Sequence, residues 1–248
     1  MENKEVEYNI NHYATMDNGL IKYQRTLSTS ALKLLRIIIS QIDTSRDNIL
    51  LTYTIGFSEL AELLGISKHK LYEKDKDQQY KNVRNIAKQL QMTVASEHQN
   101  NKELILLTWC PTIRINNEDK TLTVKLNEDL KPYLIDLKNR FTSVQLKYIM
   151  GFKCKYTLRL YEILLSLYNE NNRQKFYFTF TVEEIRSYLD CIDNYKSFKD
   201  FRRYVLQPAI DEIQHTINGN GICGLHEIKI KGRTAKEITI FFDEMNMV

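Results

Sequence analysis

The chain has 248 residues, of which 43% are hydrophobic and 27% charged, and its formal net charge is +4. This composition is typical of a globular protein with one or two domains. The longest apolar runs, such as Leu34 to Ile39, contain a charge and are far shorter than the ~20 residues of a membrane span. The polar start lacks the apolar stretch of a signal peptide. We therefore expect a cytoplasmic protein that does not enter the membrane.

The cysteines are scattered without a C-x-x-C pair, which argues against a zinc ribbon and against a disulfide framework. We expect them to be reduced thiols, mostly in the core: Cys110, Cys154, Cys191 and Cys223. The basic residues are uneven along the chain, with one cluster between Lys68 and Lys88 and another between Lys229 and Lys236. The acidic residues Glu73, Asp75 and Asp77 dilute the first cluster.

The first half of the chain predicts a core helix, a strand, two further helices and then strands. Ser28 or Ser30 can cap a helix that runs through Gln41. Ser58 can cap a short helix that ends at Gly65. The other predicted elements are a strand over 49–57, a long helix over about 68–90, and strands over 92–96, 103–115 and 121–126. On the long helix Tyr80, Val83, Ala87 and Leu90 face inward, and Lys81, Arg84 and Lys88 face outward.

The second half repeats this order of elements. Thr181 and Glu184 match a capping box that opens a short helix. Pro208 should kink or restart the helix that contains it, because proline lacks a backbone donor. The other predicted elements are helices over 143–149 and 155–168, a strand over 175–180, a helix from about 195, and a strand pair over 224–231 and 235–242.

The segment YKSFKDFRRY, residues 195–204, separates apolar from basic side chains at helical pitch. Phe198, Phe201 and Val205 recur on one side, so that side packs inward. Arginine and lysine on the opposite side supply phosphate contacts and donors for guanine edges. This pattern favours a helix that contacts the major groove of DNA, although a charged stripe can also be only a solvated surface.

Several motifs together resemble the plasmid replication initiator (Rep) family that binds iterons. They are LSTSALKLLRIIIS at 27–40, LNEDLKPYL at 126–134 with Phe141-Thr-Ser143, YTLRLY at 156–161, and FKDFRRYVLQPAIDEI at 198–213 with a later KGR. The resemblance covers nearly the whole chain, from about 27 to 243. It implies an α+β protein with two tandem winged helix-turn-helix domains related by pseudo-symmetry, which bind successive major grooves of one direct repeat at a plasmid origin.

The resemblance also implies a monomer–dimer equilibrium, with a dimer that represses its own gene and a monomer that opens the origin. Its expected partners are double-stranded DNA, a second copy of the chain, and the host replication initiator and replicative helicase. We expect an N-terminal arm over 1–26, partly disordered, then a first domain over 27–136 for dimerisation and half-site contacts, and a second domain over 137–248 with most of the base reading. The predicted DNA-binding residues are Lys196, Ser197, Lys199, Arg202, Arg203, Lys231 and Arg233 in the second domain, and Lys68, Lys70, Lys81 and Arg84 in the first.

Catalytic and cofactor motifs are weak, so we expect no enzyme, no cofactor and no metal. Gly219, Gly221 and Gly224 spell G-x-G-x-x-G, but this segment follows a predicted helix and leads into a strand, the reverse of a dinucleotide site. A P-loop sequence is absent, and the five histidines form no His-x-His pair for a nicking enzyme with a tyrosine nucleophile. The alternatives that stay open are a winged-helix transcriptional repressor without a replication role, a protein-interaction module and, with less support, an origin-nicking enzyme.

Overall fold

The computed structural model describes residues 4–23, 27–42, 52–77, 79–99, 103–135, 137, 140–175, 177–216 and 237–241. The chain divides into two compact units, one of Met1–Asn139 with Ser143–Met150 and the other of Arg140–Thr142 with Gly151–Val248. The first unit therefore extends past the predicted boundary after residue 136, as far as Met150.

The N-terminal segment is part of the first unit and not a separate arm, which corrects the expectation for 1–26 as far as residues 4–23 are concerned. It forms β1 (Lys4–Glu5), β2 (Tyr13–Asp17) and α1 (Asn18–Tyr23). β1 lies parallel to a later strand, and the Val6 amide donates to the Thr54 carbonyl at 3.0 Å. The segment is held because it contributes buried apolar side chains: Val6, Ala14, Met16, Leu20 and Ile21.

The first core helix begins where the sequence predicts. α2 (Thr29–Ile39) has Ser28 as its N-cap, and the Ser28 hydroxyl accepts from the Ala31 amide. β3 (Thr52–Gly56) then leads directly into α3 (Phe57–Leu64), which ends at Gly65 in the left-handed region at φ 64°. The predicted Ser58 cap is wrong: the N-cap is Gly56, two residues earlier, and the amide of Phe57 in the first turn donates to the Lys120 carbonyl at 2.7 Å.

The long helix predicted over about 68–90 is two helices, α4 (Lys68–Leu71) and α5 (Lys81–Leu90), separated by a turn. Two contacts outweigh helix propensity there. The rings of Tyr72 and Tyr80 both pack edge-on against Phe57, with centroids 5.9 and 5.0 Å from it. Asp75 accepts hydrogen bonds from amides in the turn that a continuous helix would use internally. The predicted inward face of α5 is confirmed, since Tyr80, Val83, Ala87 and Leu90 are buried.

The first unit also contains a four-stranded sheet and a separate hairpin. β4 (Thr93–Gln99) and β5 (Glu103–Thr108) form an antiparallel hairpin, followed by β6 (Thr112–Asn116) and β7 (Thr121–Lys125). The sheet order is β1-β3-β7-β6, antiparallel except for the β1–β3 pair. The strand predicted over 103–115 is interrupted, because the fully buried Trp109 turns the chain inward and the amide of Cys110 donates to the Leu90 carbonyl at 3.0 Å.

A short helical segment and one more strand lead out of the first unit. A 3₁₀ turn (Glu128–Leu130) and α6 (Lys131–Leu134) precede β8 (Phe141–Gln145) and α7 (Leu146–Gly151). Residues 143–145 are strand and not helix as predicted, because β8 pairs with β2. The hydroxyls of Thr15 and Ser143 are hydrogen-bonded at 2.8 Å across these two strands.

The second unit begins with α8 (Lys155–Glu170), β9 (Tyr177–Thr181) and α9 (Val182–Tyr188). The predicted capping box at the start of α9 is present: the Thr181 hydroxyl accepts from the Glu184 amide at 3.0 Å, and the Glu184 carboxylate accepts from the Thr181 amide at 2.7 Å. β10 (Glu237–Phe241) pairs antiparallel with β9. The other strand of the predicted hairpin, 224–231, lies outside the described residues.

The basic helix is continuous from Phe198 to Thr216 but changes pitch. α10 (Phe198–Phe201) is followed by one widened π turn (Arg202–Leu206) and then by α11 (Gln207–Thr216). The Gln207 amide donates to the Arg202 carbonyl, five residues back. Pro208 has no amide hydrogen and its ring would crowd the preceding turn of an α-helix. The wide turn makes room for it, and α geometry resumes at Gln207.

The two units repeat one local scheme. Aligning α2 with α8 pairs Leu32, Leu34, Ile37 and Ser40 with Leu158, Leu160, Ile163 and Ser166. Both serine hydroxyls donate to the carbonyl three residues back, Ser40 to Ile37 at 2.8 Å and Ser166 to Ile163 at 2.8 Å. The strand pairs also match, because a threonine pair bridges the strands in each unit, Thr54 with Thr123 at 2.7 Å and Thr179 with Thr239 at 2.8 Å. The expected internal similarity is thus visible at the level of single hydrogen bonds.

The start of α8 is capped by a carboxylate from α11. Glu212 accepts hydrogen bonds from the amides of Lys153 at 2.6 Å and Cys154 at 3.3 Å, and from the Thr157 hydroxyl. These two amides precede α8, at its N-cap Cys154 and the residue before it, where no helical carbonyl is available to them. Glu212 therefore fastens the C-terminal part of the basic helix to the central helix of the second unit.

Replacing Glu212 with alanine should lower the free energy of unfolding by about 1–3 kcal/mol, because it leaves two amides and a hydroxyl without their acceptor. Urea denaturation followed by circular dichroism measures the change. Asp211→Ala is the matched control, since the Asp211 carboxylate is exposed and accepts from Gln207 on its own helix at 2.8 Å. Equal stability of the two variants would show that the Glu212 cap does not hold the helices together.

Candidate nucleic-acid interface

The second unit presents a cationic surface on the helix that follows α9. On this helix Phe201, Val205, Leu206 and Ile210 are buried. The same packing leaves Lys199, Arg202 and Arg203 exposed on the other side, as the sequence predicts. Because of the widened turn, three consecutive residues, 202–204, are all exposed before two consecutive buried ones. The structure therefore brings the predicted cations of this helix onto one solvent-facing surface.

A buried arginine organises the turn that leads into this helix. Arg186 on α9 is 8% exposed, and its guanidinium lies over the Phe201 ring with 4.9 Å to the centroid. It donates to the carbonyl oxygens of four consecutive residues, at 3.3 Å to 194, 2.6 Å to 195, 3.4 Å to 196 and 3.3 Å to 197. Tyr195 in this turn has φ 54°, in the left-handed region that a bulky side chain rarely adopts. Arg186 thus stabilises a strained entry and sets where the cationic helix begins.

Lys196 and Ser197, both predicted to bind DNA, precede the helix that carries the other cations. Lys196 is exposed but lies in the turn, outside the helix. Ser197 is the N-cap: its hydroxyl accepts from the Asp200 amide at 3.1 Å and donates to the Asp200 carboxylate at 2.7 Å. The Ser197 hydroxyl is therefore engaged in capping. Asp200, which the sequence analysis did not select, places an oriented carboxylate oxygen at the start of the same exposed surface.

Three tyrosines form a connected group beside the cations. The rings of Tyr195 and Tyr204 are stacked with centroids 6.1 Å apart, and Tyr195 also meets Tyr156 edge-on at 6.5 Å. The guanidinium of Arg203 lies 5.2 Å from the centroid of the Tyr204 ring, which limits where Arg203 can point. Burial raises the pKa of Tyr156 to about 12, so its hydroxyl stays protonated at neutral pH. The burial of the Tyr156 ring disfavours this residue as a nucleophile.

The corresponding surface of the first unit is formed by α4 and α5. Lys68, Lys70 and Lys81 are exposed, and the side-chain amide of Asn82 links the helices by donating to the Lys70 carbonyl at 2.6 Å. Arg84 is ion-paired with Asp75 at 3.1 Å. Lys81 faces Glu73 at 3.8 Å. Lys81 and Arg84 are thus partly neutralised by the preceding turn, whereas no carboxylate among the described residues forms an ion pair with Lys199, Arg202 or Arg203.

Sequence profiles of two domains match this chain in tandem. The profile described as "Initiator Replication protein, WH1" matches residues 13–165, and that described as "Initiator Rep protein, WH2" matches residues 181–242. The chain belongs to the initiator replication (Rep) protein family. Its fold is a pair of winged-helix domains, as the resemblance implied. The WH1 match runs into α8, whereas contacts place α8 with the second unit, because it packs on α9 and α11.

Individual relatives agree with this assignment to the Rep family. A "Replication initiation protein" of Escherichia coli is 25% identical over 164 residues, which are 65% of this chain and 48% of that protein. The "PI protein" of Escherichia coli is 27% identical over 180 residues, 66% of this chain and 55% of that protein. The chain thus spans about half the length of the curated relatives it matches. The crystal structure of the Pi initiator protein in complex with iteron DNA is 21% identical, covers 96% of this chain and 100% of that chain, and has a TM-score of 0.71, so the Rep fold is shared.

Some predicted features of this Rep protein fall outside the described residues, and some structural ones were missed. Lys231 and Arg233, predicted for the wing, lie in the part of the chain that is not described. Asn85 and Lys88 are exposed on α5 one turn apart, beside Lys81; Lys88 was already expected to face outward, and the helical period could have added both residues to the site. Arg186 could not be found that way, because its partners are carbonyl groups, which carry no sequence signal.

The described residues contain no group of three or more His, Cys, Asp and Glu side chains arranged to hold a metal ion. Among the described helices, none combines the length and the apolarity of a bilayer-crossing segment.

Replacing Arg186 with lysine should lower the free energy of unfolding by about 1–3 kcal/mol, because an ammonium group cannot reach four carbonyls that the planar guanidinium serves. Urea denaturation measures this loss. Arg202→Lys is the control, since it makes the same exchange at an exposed position. If both variants were as stable as the wild type, the role given to Arg186 in the turn would be wrong.

Proposed function

We propose that this chain is a plasmid replication initiator that binds direct repeats, or iterons, of an origin as double-stranded DNA and promotes opening of the origin. It acts without catalysis, in the cytoplasm, and represses its own gene as a dimer. Membership of the Rep family supports the replication role. The single structural observation that carries DNA binding is the exposed row of Lys199, Arg202 and Arg203 on a helix whose other side is buried.

The second domain would make most of the sequence-specific contacts. A helix that follows a helix-turn entry and exposes arginines is suited to the major groove, where a guanidinium can donate two hydrogen bonds to guanine O6 and N7. The oriented carboxylate of Asp200 can accept from a cytosine amino group on the same surface. Lys199 and, on the wing, Lys231 and Arg233 are proposed for phosphates, which position the helix without reading sequence.

The first domain would add a second groove contact. Lys68, Lys70, Lys81 and Arg84 lie on or near α5, which has the same place in the first unit as the cationic helix has in the second. Two domains on one chain bind with high effective concentration if their target grooves are about one turn, or ~34 Å, apart. The proposal is supported by the relative named above, whose crystal structure holds the Pi initiator in complex with iteron DNA.

Opening of the origin would follow from deformation of the bound repeat. Bending a duplex costs of the order of several kcal/mol, and melting of an adjacent AT-rich segment relieves part of that strain. Host proteins enter at this step. We propose that the host initiator and the replicative helicase join the open complex, because the chain carries no P-loop sequence with which to drive unwinding itself.

Replacing Arg203 with alanine should reduce affinity for the recognised duplex by about 1–3 kcal/mol and relax preference at one base position, with little effect on unrelated DNA. The duplex is obtained by selection from a random library with the wild-type protein, and affinities are measured by fluorescence anisotropy. The control is Arg173→Ala, which removes an exposed arginine from the turn between α8 and β9. Unchanged discrimination in Arg203→Ala would refute the assignment of the reading surface, and failure of the wild type to select any sequence would refute the proposed function.

The absence of catalysis is tested separately. Purified protein incubated with a supercoiled plasmid carrying the origin, in the presence of Mg²⁺ or Mn²⁺, should leave the plasmid supercoiled. A vector without the origin serves as the control substrate. Appearance of an origin-dependent nicked product, with the protein attached to a DNA end, would replace the proposed mechanism by nicking through a tyrosine.

A further inference from the structure

The turn between α4 and α5 is built around one carboxylate. Oδ1 of Asp75 accepts hydrogen bonds from the amides of Asp77 at 3.0 Å and Gln79 at 2.9 Å. Oδ2 binds Nη1 of Arg84 at 3.1 Å. The Asp75 amide also donates to the Gln79 carbonyl at 2.8 Å. The two oxygens therefore have separate tasks: one fixes the turn and the other fixes an arginine on the helix.

The turn is itself fastened to the core, so Asp75 has a defined position relative to α5. Tyr72 and Tyr80 flank the turn, and their rings pack edge-on with centroids 5.8 Å apart. The Lys81 amide closes the turn by donating to the Glu73 carbonyl at 2.9 Å. An arginine held by a rigid partner loses little further freedom when it binds a base.

Part of the Arg84 side chain remains accessible to a ligand. Its side chain is 41% exposed while one of its nitrogens is held by Asp75. A pair this exposed contributes little to stability, so its effect should lie in geometry and charge. The carboxylate repels phosphates, which carry the same charge. It also restrains the orientation that a bidentate contact with guanine requires.

We propose that Asp75 is a positioning residue for DNA recognition, which holds Arg84 in the orientation that reads a base edge and keeps it from binding phosphates of unrelated DNA. This inference rests on the proposed DNA-binding function and assigns to the first domain a share of the selectivity. The carboxylate of Glu73, 3.8 Å from the Lys81 ammonium group, likewise weakens the attraction of Lys81, on the first turn of α5, for phosphates of unrelated DNA. Discrimination here comes from weakening the wrong contacts as well as from making the right one.

The ionisation of Asp75 is consistent with this role. The Gln79 amide, followed by the Asp77 amide and the Arg84 guanidinium, lowers the pKa of Asp75 below its ordinary value. Asp75 therefore carries its full negative charge at neutral pH, where the protein meets DNA.

The test compares two duplexes, the one that the wild-type protein selects from a random library and a scrambled duplex of the same composition. In Asp75→Asn the side-chain amide oxygen can still accept from both turn amides, but the side chain no longer holds Arg84 as an ion pair. In Asp75→Asn, affinity for the scrambled duplex should rise several-fold, and the slope of log K against log salt on that duplex should steepen by about 0.9, one additional phosphate contact. The ratio of the two affinities should fall roughly fivefold or more.

Asp77→Asn is the matched control, because it removes the same charge from the same turn and leaves the Asp75–Arg84 pair in place. It should strengthen binding to both duplexes alike, with an unchanged ratio. Arg84→Lys keeps the charge and loses the planar fork, and should lower the ratio without weakening scrambled binding. In the double variant Asp75→Asn/Arg84→Ala, the steeper salt slope should disappear.

The outcomes separate this inference from the proposed function. If Asp75→Asn behaves like Asp77→Asn, or weakens both duplexes equally, Asp75 does not position Arg84 for recognition. If Arg84→Lys retains full discrimination, the same conclusion follows from a variant that leaves Asp75 intact. If the wild-type protein selects no duplex at all, the proposed function fails, and this inference fails with it.

Discussion

Burial of one side of a helix decides what the other side can do in this protein. Val83, Ile86 and Leu90 on α5, and Phe201 and Val205 on the second basic helix, are all buried against their own units. Removing such side chains from water is the main stabilising contribution available to small domains, so the rotation of each helix about its axis is fixed by its apolar residues. The cations on the opposite side are then exposed without needing any contact of their own. The interface is in this sense a consequence of the core.

The two domains share one fold but differ at the entry to their basic helices. Matching serine hydrogen bonds and threonine pairs show that α2 and the β3–β7 pair of the first domain correspond to α8 and the β9–β10 pair of the second. At the entry to the basic helix they diverge. The second domain stabilises its turn with Arg186, which is buried and takes up no surface cation, whereas the first uses Asp75, which pairs with the surface cation Arg84. The same fold can therefore supply strong phosphate attraction in one domain and restraint in the other, which suits recognition by two modules of unequal roles.

Much of the fold could be predicted from sequence because it depends on local patterns. Neighbouring residues alone determine the helical period of YKSFKDFRRY, the capping box at Thr181 and the repeated order of elements. The failures arose where distant contacts override local preference. The helix predicted over about 68–90 breaks because Tyr72 and Tyr80 pack on Phe57, which lies outside the predicted helix. The segment before residue 27 looked like a loose arm because β1 and β2 are short, and their partner strands lie much later in the chain. The wing cations Lys231 and Arg233 lie outside the described residues, so their role stays a prediction.

The proposed function requires that the two winged-helix domains of one chain read successive major grooves of a single duplex. Protection of guanine N7, which lies in the major groove, from methylation can be mapped on the duplex that the wild-type protein selects. We expect two clusters of protected guanines whose centres lie ~10 base pairs, one helical turn, apart. A single protected cluster, or uniform weak protection along the duplex, would show that the two domains do not read successive grooves.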